Sequence, residues 1–356
     1  MTSPLKFAAD NCQTVLWNDS ADPQELADAI SWGAVGATCN PVIALTALKE
    51  DAPYWSQQVR TYAQNNPTAT DDQIGWEMVK ELSLNAAKLL EPAFEKYQGR
   101  NGRLSIQTDP RLHRDPKALV EQATAFNALA NNIIVKIPVT SQAVSAFEEA
   151  TYRGISINAT VSFSVAQTIA VAEAVERGLK RREGEGLDIS KMGPVCTIMV
   201  GRTDDWIKLI DQREKTAITA DALEWSGIAA FKNAYQIYRE RGYRTRLLAA
   251  AFRNTMHWSQ LLGGDCVISP PYAWQVKINE SGISPNLESI HEPVPAPYLD
   301  ELLNKSSEFR KAFLPDGLAI DEFSTYGATA RTLRGFLQAT HDLEVFVRDT
   351  LVEDPD

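Results

Sequence analysis

Asn132-Ile133-Ile134-Val135-Lys136-Ile137-Pro138-Val139 is a run rich in β-branched residues, interrupted by one lysine. It lies between two segments with helical periodicity, DPKALVEQATAFNAL at 115–129 and SQAVSAFEEATYRG at 141–154. A strand flanked in this way reads as one unit of a parallel sheet covered by helices. Working outward, similar runs occur at TVLWND (14–19), GATCN (36–40), RLSIQTD (103–109), ISINAT (155–160), PVCTIMVG (194–201), RLLAAAF (246–252) and DCVISP (265–270). Eight strands with helices between them predict an α/β fold of the (β/α)8 TIM-barrel type. Asp22-Pro23 and Asp115-Pro116 mark helix starts, with a capping carboxylate before a proline whose missing N–H costs nothing there. Gly99, Gly154, Gly242 and Gly264 follow periodic runs and are expected to close helices in the left-handed conformation.

The chain has 356 residues, about 100 more than a typical barrel of ~250. The surplus falls at about 45–100, after the second strand, and at 271–356, after the eighth, so a single barrel domain with helical additions is expected over 1–356. An apolar stripe of Leu333, Phe336, Leu337, Leu343, Phe346 and Val347 in the tail reads first as core packing. A net charge of −11 argues against nucleic acid as a partner, because phosphate polyanions are repelled at long range. Lys180-Arg181-Arg182 lies beside Glu183 and Glu185 and reads as a solvated helix end. Cys12, Cys39, Cys196 and Cys266 are too far apart in sequence to imply a metal site or disulfide framework. With no long apolar run and no signal-peptide core in MTSPLKFAADN, the expectation is a cytoplasmic protein with no membrane association. No cofactor-binding motif is present, so neither cofactor nor metal is expected.

Catalytic groups of such barrels collect at the C-terminal strand ends, and alternate strand residues point inward. Ser105, Gln107 and Asp109 share one parity, as do Ser156, Asn158 and Thr160. The first run ends in Asp19, the second in Asn40, and Arg253 follows the seventh on the parity of Ala249 and Ala251. Lys136 is the decisive residue. An unpaired ammonium costs several kcal/mol to bury, roughly, so a lysine inside a β-branched strand is driven toward its neutral form. A neutral amine is the nucleophile that condenses with carbonyls to form a Schiff base. The competing reading is an outward-facing lysine snorkelling between helices.

Asp19 in WNDSAD, Thr38-Cys39-Asn40-Pro41, Val135-Lys136-Ile137-Pro138, Asn158-Ala159-Thr160 with Phe163-Ser164, Val200-Gly201-Arg202 and Phe252-Arg253-Asn254 form an ordered series that resembles the transaldolase family. The resemblance runs from the first strand to about residue 275. It implies that Lys136 forms an imine with a ketose phosphate and that Asp19 takes the C4 hydroxyl proton. It implies further that Asn40 and Asn158 hold hydroxyls of the dihydroxyacetone unit, that Thr160 orients a water, and that Arg202 and Arg253 clamp phosphate. Thr38, Thr197 and Met199 fall at substrate-facing positions of the same pattern, and self-association as a homodimer is a further implication.

Three departures stand out. Gln107 occupies the place of a glutamate usual in transaldolases, and an amide holds water but shuttles no proton. Fructose 6-phosphate aldolases also carry glutamine there, paired with a tyrosine where this chain has Met199 and transaldolases have phenylalanine. Ala251 replaces a serine of the phosphate site, while Thr197 stands for another serine. The expectation is a transaldolase-like transferase acting on sugar phosphates. A class I aldolase, a homologue with a changed donor and a non-catalytic sugar-phosphate-binding barrel are the alternatives. His113, His257, His291 and His341 are given no role, and Trp17 is read as barrel or site wall.

Overall fold

In the computed structural model, which describes residues 3–352, the eight expected runs all form strands. They are β1 (Val15–Leu16), β2 (Gly36–Cys39), β3 (Arg103–Gln107), β4 (Ile133–Pro138), β5 (Ile157–Ser162), β6 (Val195–Ile198), β7 (Arg246–Ala250) and β8 (Val267–Ser269). All neighbours are parallel and consecutive, with β1 paired to β8. The remaining gap closes through a parallel bridge between Asn18 and Ala37, supported by Asn18 N–H to Gly36 O at 2.9 Å and Thr38 N–H to Asn18 O at 3.0 Å. The result is a (β/α)8 barrel.

Local chemistry explains the helix boundaries. The Asp22 carboxylate accepts from the N–H groups of Gln24 and Glu25, and Asp115 accepts from Ala118, so both Asp-Pro starts behave as caps. Thr70 and Gln73 form a reciprocal capping box at the start of helix Asp71–Lys96, the longest helix of the insertion between β2 and β3. Gly242 ends helix Ser226–Arg241 at φ +63, as expected. Gly264 differs: the left-handed residue there is Gly263, while Gly264 is required by space, since a Cβ would sit 2.5 Å from the Tyr235 hydroxyl.

Two apolar layers build the core. Inside the barrel, Trp17, Ile134, Val195, Leu248, Ala250 and Val267 form a separate plug, so the interior is packed rather than open. Trp17 is therefore barrel wall, lying against Gly36, where a Cβ would meet its ring at 2.5 Å. Outside, the larger layer joins the sheet to its helices. The C-terminal helix Gly327–Leu351 buries Leu333, Phe336, Leu343 and Val347, and packs on helices Pro41–Glu50 and Asp71–Lys96. Leu343 lies against Gly75, where an added Cβ would be 3.1 Å away. The stripe is thus covered by the chain itself.

The basic run at 180–182 lies at the exposed end of helix Val165–Gly184, as expected, with local partners. Arg181 stacks 3.9 Å from the Tyr152 ring centre and pairs with Glu148 and Glu149, while Arg182 donates to the carbonyls of Tyr152 and Asp188. Cys39, Cys196 and Cys266 are buried free thiols and Cys12 is half-buried. Among the described residues, no helix is long and apolar enough to cross a membrane.

Candidate active site

Strand register brings the polar strand-end residues together. Lys136 pairs with Gln107 on β3 and with Asn158 on β5, and Thr38 pairs with Ser105. Lys136 is 2% exposed, which removes the outward-facing, snorkelling alternative. Burial is the main reason its pKa falls below the ordinary lysine value, and Arg202 pushes the same way. The negative charge of Asp19 acts in the opposite direction, and so, more weakly, does Cys39. Asp19 is fixed by the Thr38 hydroxyl, which donates to its Oδ1 at 2.6 Å. Thr38 thus holds the carboxylate nearest in electrostatic terms to the amine.

Asn158 is held at both ends of its amide. Its Nδ2 donates to Ser105 Oγ at 3.1 Å, and its Oδ1 accepts from Thr197 Oγ1 at 2.7 Å. The hydroxyl of Thr197 therefore orients Asn158. Asn40 is partly committed too: its Oδ1 caps helix Pro41–Glu50 by accepting from Val42 and Ile43 N–H at 2.9 and 3.1 Å, which leaves only the amide N–H groups free. In contrast, Gln107 and Thr160 are buried with no partner for either amide atom or for the hydroxyl. A buried unpaired amide costs about 1–3 kcal/mol, so two such orphans beside an amine mark a place where a polar ligand or water is received.

Backbone strain lies at the same end. Val161, just after Thr160, adopts φ +56, rare for a β-branched residue, where the β5–β6 register shifts between Ala159 and Ser162. Such a bulge re-aims the chain, and strain of this kind gathers at functional sites. Ala251 adopts φ +61 directly after β7. The alternation expected through Ala251 to Arg253 therefore breaks, and Arg253 takes its direction from a turn rather than from strand parity. The sixth run is shorter than expected as well, since residues 200 and 201 already belong to helix Val200–Glu214, which places Arg202 in its first turn. Met199, 5% exposed, is the residue before that helix.

Arg202 and Arg253 do meet. Together with Asp205, Trp206, Thr332 and Arg331 they line a cavity of 190 Å³. Burial, with the charge of Arg253, holds Arg202 below the ordinary guanidinium value, and its side chain lies 5.4 Å from the Phe336 ring centre. Arg253 donates to Asp205 from Nε at 3.0 Å and to the carbonyls of Ala251 and Phe252. Arg331 was not foreseen. It comes from the C-terminal helix, and nothing local in its sequence says that this helix crosses the barrel mouth. Three arginines against one aspartate leave two positive charges, which matches a phosphate dianion. A larger cavity of 1170 Å³ opens at the opposite end of the barrel around Arg246 and Tyr235. Two of its four arginines, Arg100 and Arg244, are already paired with Asp265 and with Glu176 and Glu183.

Fold and site together define the class as a (β/α)8 barrel with a buried amine at the strand ends and cations at the rim. A profile of the transaldolase/fructose-6-phosphate aldolase family matches residues 16–312. The chain belongs to that family. It is 34% identical over 224 residues to transaldolase 1 of Streptomyces avermitilis, covering 61% of this chain and 58% of that protein. It is 31% identical over 269 residues to a transaldolase of Thiobacillus denitrificans, covering 74% and 72%, and 32% identical over 252 residues to one of Thermobifida fusca, covering 67% and 66%. The chain thus spans between just over half and about three quarters of the relatives it matches.

Proposed function

We propose that the protein is a transaldolase-type transferase that moves a dihydroxyacetone unit from a ketose phosphate to an aldose phosphate through a Schiff base on Lys136. The carrying observation is a wholly buried lysine, with pKa lowered by that burial, set in register between Gln107 and Asn158. Its neutral amine adds to the C2 carbonyl, and loss of water gives an iminium. Asp19 then takes the C4 hydroxyl proton, the C3–C4 bond breaks, and its electron pair passes to C3 and the iminium nitrogen as an enamine. The aldehyde departs, an acceptor aldehyde enters, and the steps reverse to form the new bond. Because the iminium is itself the electron sink, the chemistry needs neither metal nor cofactor.

In this reading Asn158 and Asn40 hold donor hydroxyls, and Thr160 and Gln107 receive the water lost and regained. Thr38 and Thr197 steady Asp19 and Asn158, while Met199 forms apolar wall. Arg202, Arg253 and Arg331 bind phosphate. The same proposal takes the chain as one decorated barrel domain working in the cytoplasm on sugar phosphates, with no nucleic-acid partner. A homodimer remains part of it, with an interface other than the covered stripe on the C-terminal helix.

Borohydride reduction in the presence of fructose 6-phosphate, followed by peptide mass analysis, tests the reading. An adduct on the Lys136 peptide is expected; folded protein giving none with any ketose overturns it. Gln107 matches the glutamine that fructose 6-phosphate aldolases carry at this position, which favours a second reading as an aldolase. Free dihydroxyacetone accumulating whether or not an acceptor is present would select that reading.

A further inference from the structure

A buried relay that the proposed chemistry leaves unused ties the turn bearing Arg253 to the helix bearing Arg202. The backbone N–H of Arg253 donates to His257 Nδ1 at 3.0 Å, and His257 Nε2 lies 2.8 Å from Asp204 Oδ2. Asp204 Oδ1 accepts from Gly227 N–H at 2.7 Å. His257 and Asp204 are both 0% exposed. Because a backbone N–H can only donate, His257 Nδ1 must accept, which fixes the neutral ring with its proton on Nε2, donated to Asp204. Asp204 sits two residues after Arg202 on helix Val200–Glu214, and its neighbour Asp205 holds the Arg253 side chain. One helix thus grips Arg253 by its guanidinium and, through His257, by its backbone. A Cβ at Gly201 would lie 2.0 Å from Ala251 O and 2.6 Å from Arg253 Cγ, so the helix start abuts this turn with no side chain between.

We propose that His257 and Asp204 are positioning residues that set the spacing of Arg202 and Arg253 for a phosphate group. The inference rests on the sugar-phosphate reading above. It also accounts for the left-handed Ala251: the turn must bend there to present the Arg253 N–H to His257.

Asp204→Asn is the test, because it keeps size and packing while breaking the relay. Whichever way the asparagine amide turns, its NH2 faces either Gly227 N–H or His257 Nε2. The first opposes two donors. The second drives the ring proton to Nδ1, where it opposes Arg253 N–H. The expected results are inorganic phosphate binding weakened by about tenfold or more, and a matching loss in the ratio of kcat/KM for fructose 6-phosphate over fructose. The yield of Lys136 adduct with dihydroxyacetone should be unchanged. Nitrogen NMR of the four histidines should show His257 of the wild type protonated on Nε2 alone. His257 carrying its proton on Nδ1, or an Asp204→Asn variant with wild-type phosphate binding and ratio, overturns the relay. Should that variant not fold, the wild-type spectrum and His257→Asn, which keeps an acceptor near Arg253 and should retain more phosphate binding than His257→Phe, decide the matter; equal binding by these two overturns it. Wild type that binds phosphate but forms no Lys136 adduct removes the transaldolase reading and leaves the relay standing.

Discussion

At the N-terminal end of the barrel, Arg103 and Arg246 are almost wholly buried, yet each guanidinium is satisfied by oxygen atoms, whereas at the C-terminal end Lys136 is buried beside groups that have no partner. Arg103 donates to the carbonyls of Gly99, Ile133 and Lys191, and Arg246 to Asn101 Oδ1 at 3.0 Å and Arg100 O at 2.7 Å. Asn132 beside them donates to the carbonyls of Ala87 and Gly102. Burial lowers both guanidiniums to about 10, so they stay charged at neutral pH. At the other end, Gln107 and Thr160 hold unmatched atoms next to the amine. Apart from the Thr245 hydroxyl, the buried polar groups named at one end are matched, whereas in the proposed reading those at the other are left open for a ligand, and the difference lies in hydrogen-bond satisfaction rather than in burial.

The comparison breaks most sharply at Lys136. Lys136→Met should abolish donor cleavage, by on the order of 10⁴-fold or more, while raising thermal stability. The sign follows from linkage: wherever the folded lysine has lost its proton and the unfolded one, with pKa about 10.4, retains it, stability rises with pH. Thermal melts across that window should be steeper in pH for wild type than for the variant. A variant no more stable than wild type would mean the amine is well solvated. Arg103→Met should behave in the opposite way, losing about 2–4 kcal/mol of stability by stranding three carbonyls while leaving turnover intact. Denaturant midpoints and kcat measured on the same preparation check this.

Smaller effects sharpen the picture at the mouth. Arg331→Ala should raise KM for fructose 6-phosphate about tenfold, with little change for fructose, since only the phosphate loses a partner. An equal loss for both sugars would make Arg331 a packing residue. Gln107→Glu should speed imine formation by about three- to tenfold by restoring a proton carrier, read as single-turnover adduct formation. An unchanged rate would mean that water or Thr160 already serves the relay.

Much of this was legible without coordinates because it is local. Strand ends, period-two polarity and Asp-Pro caps are each encoded within a few residues, so Gln107, Lys136, Asn158 and the helix starts could be read directly. Run lengths were overestimated, most at the first, sixth and eighth strands; at the sixth a helix start, and at the seventh a left-handed residue, ends the ladder early. The left-handed alanine and valine had no signal, since nothing in a side chain of either type announces φ above zero.

The sequence by itself determined the alternation of eight strands and their helices, the lysine at the centre of the fourth strand, and the family series running along the chain. Only the tertiary structure decided that the C-terminal helix lays Arg331 beside Arg202 and Arg253, that Thr38 and Thr197 hold Asp19 and Asn158, and that His257 reaches Asp204. The reason is physical. Backbone periodicity and capping act over one or two turns, whereas these contacts join residues 53 positions apart in the histidine relay, and their geometry exists only once the barrel has closed.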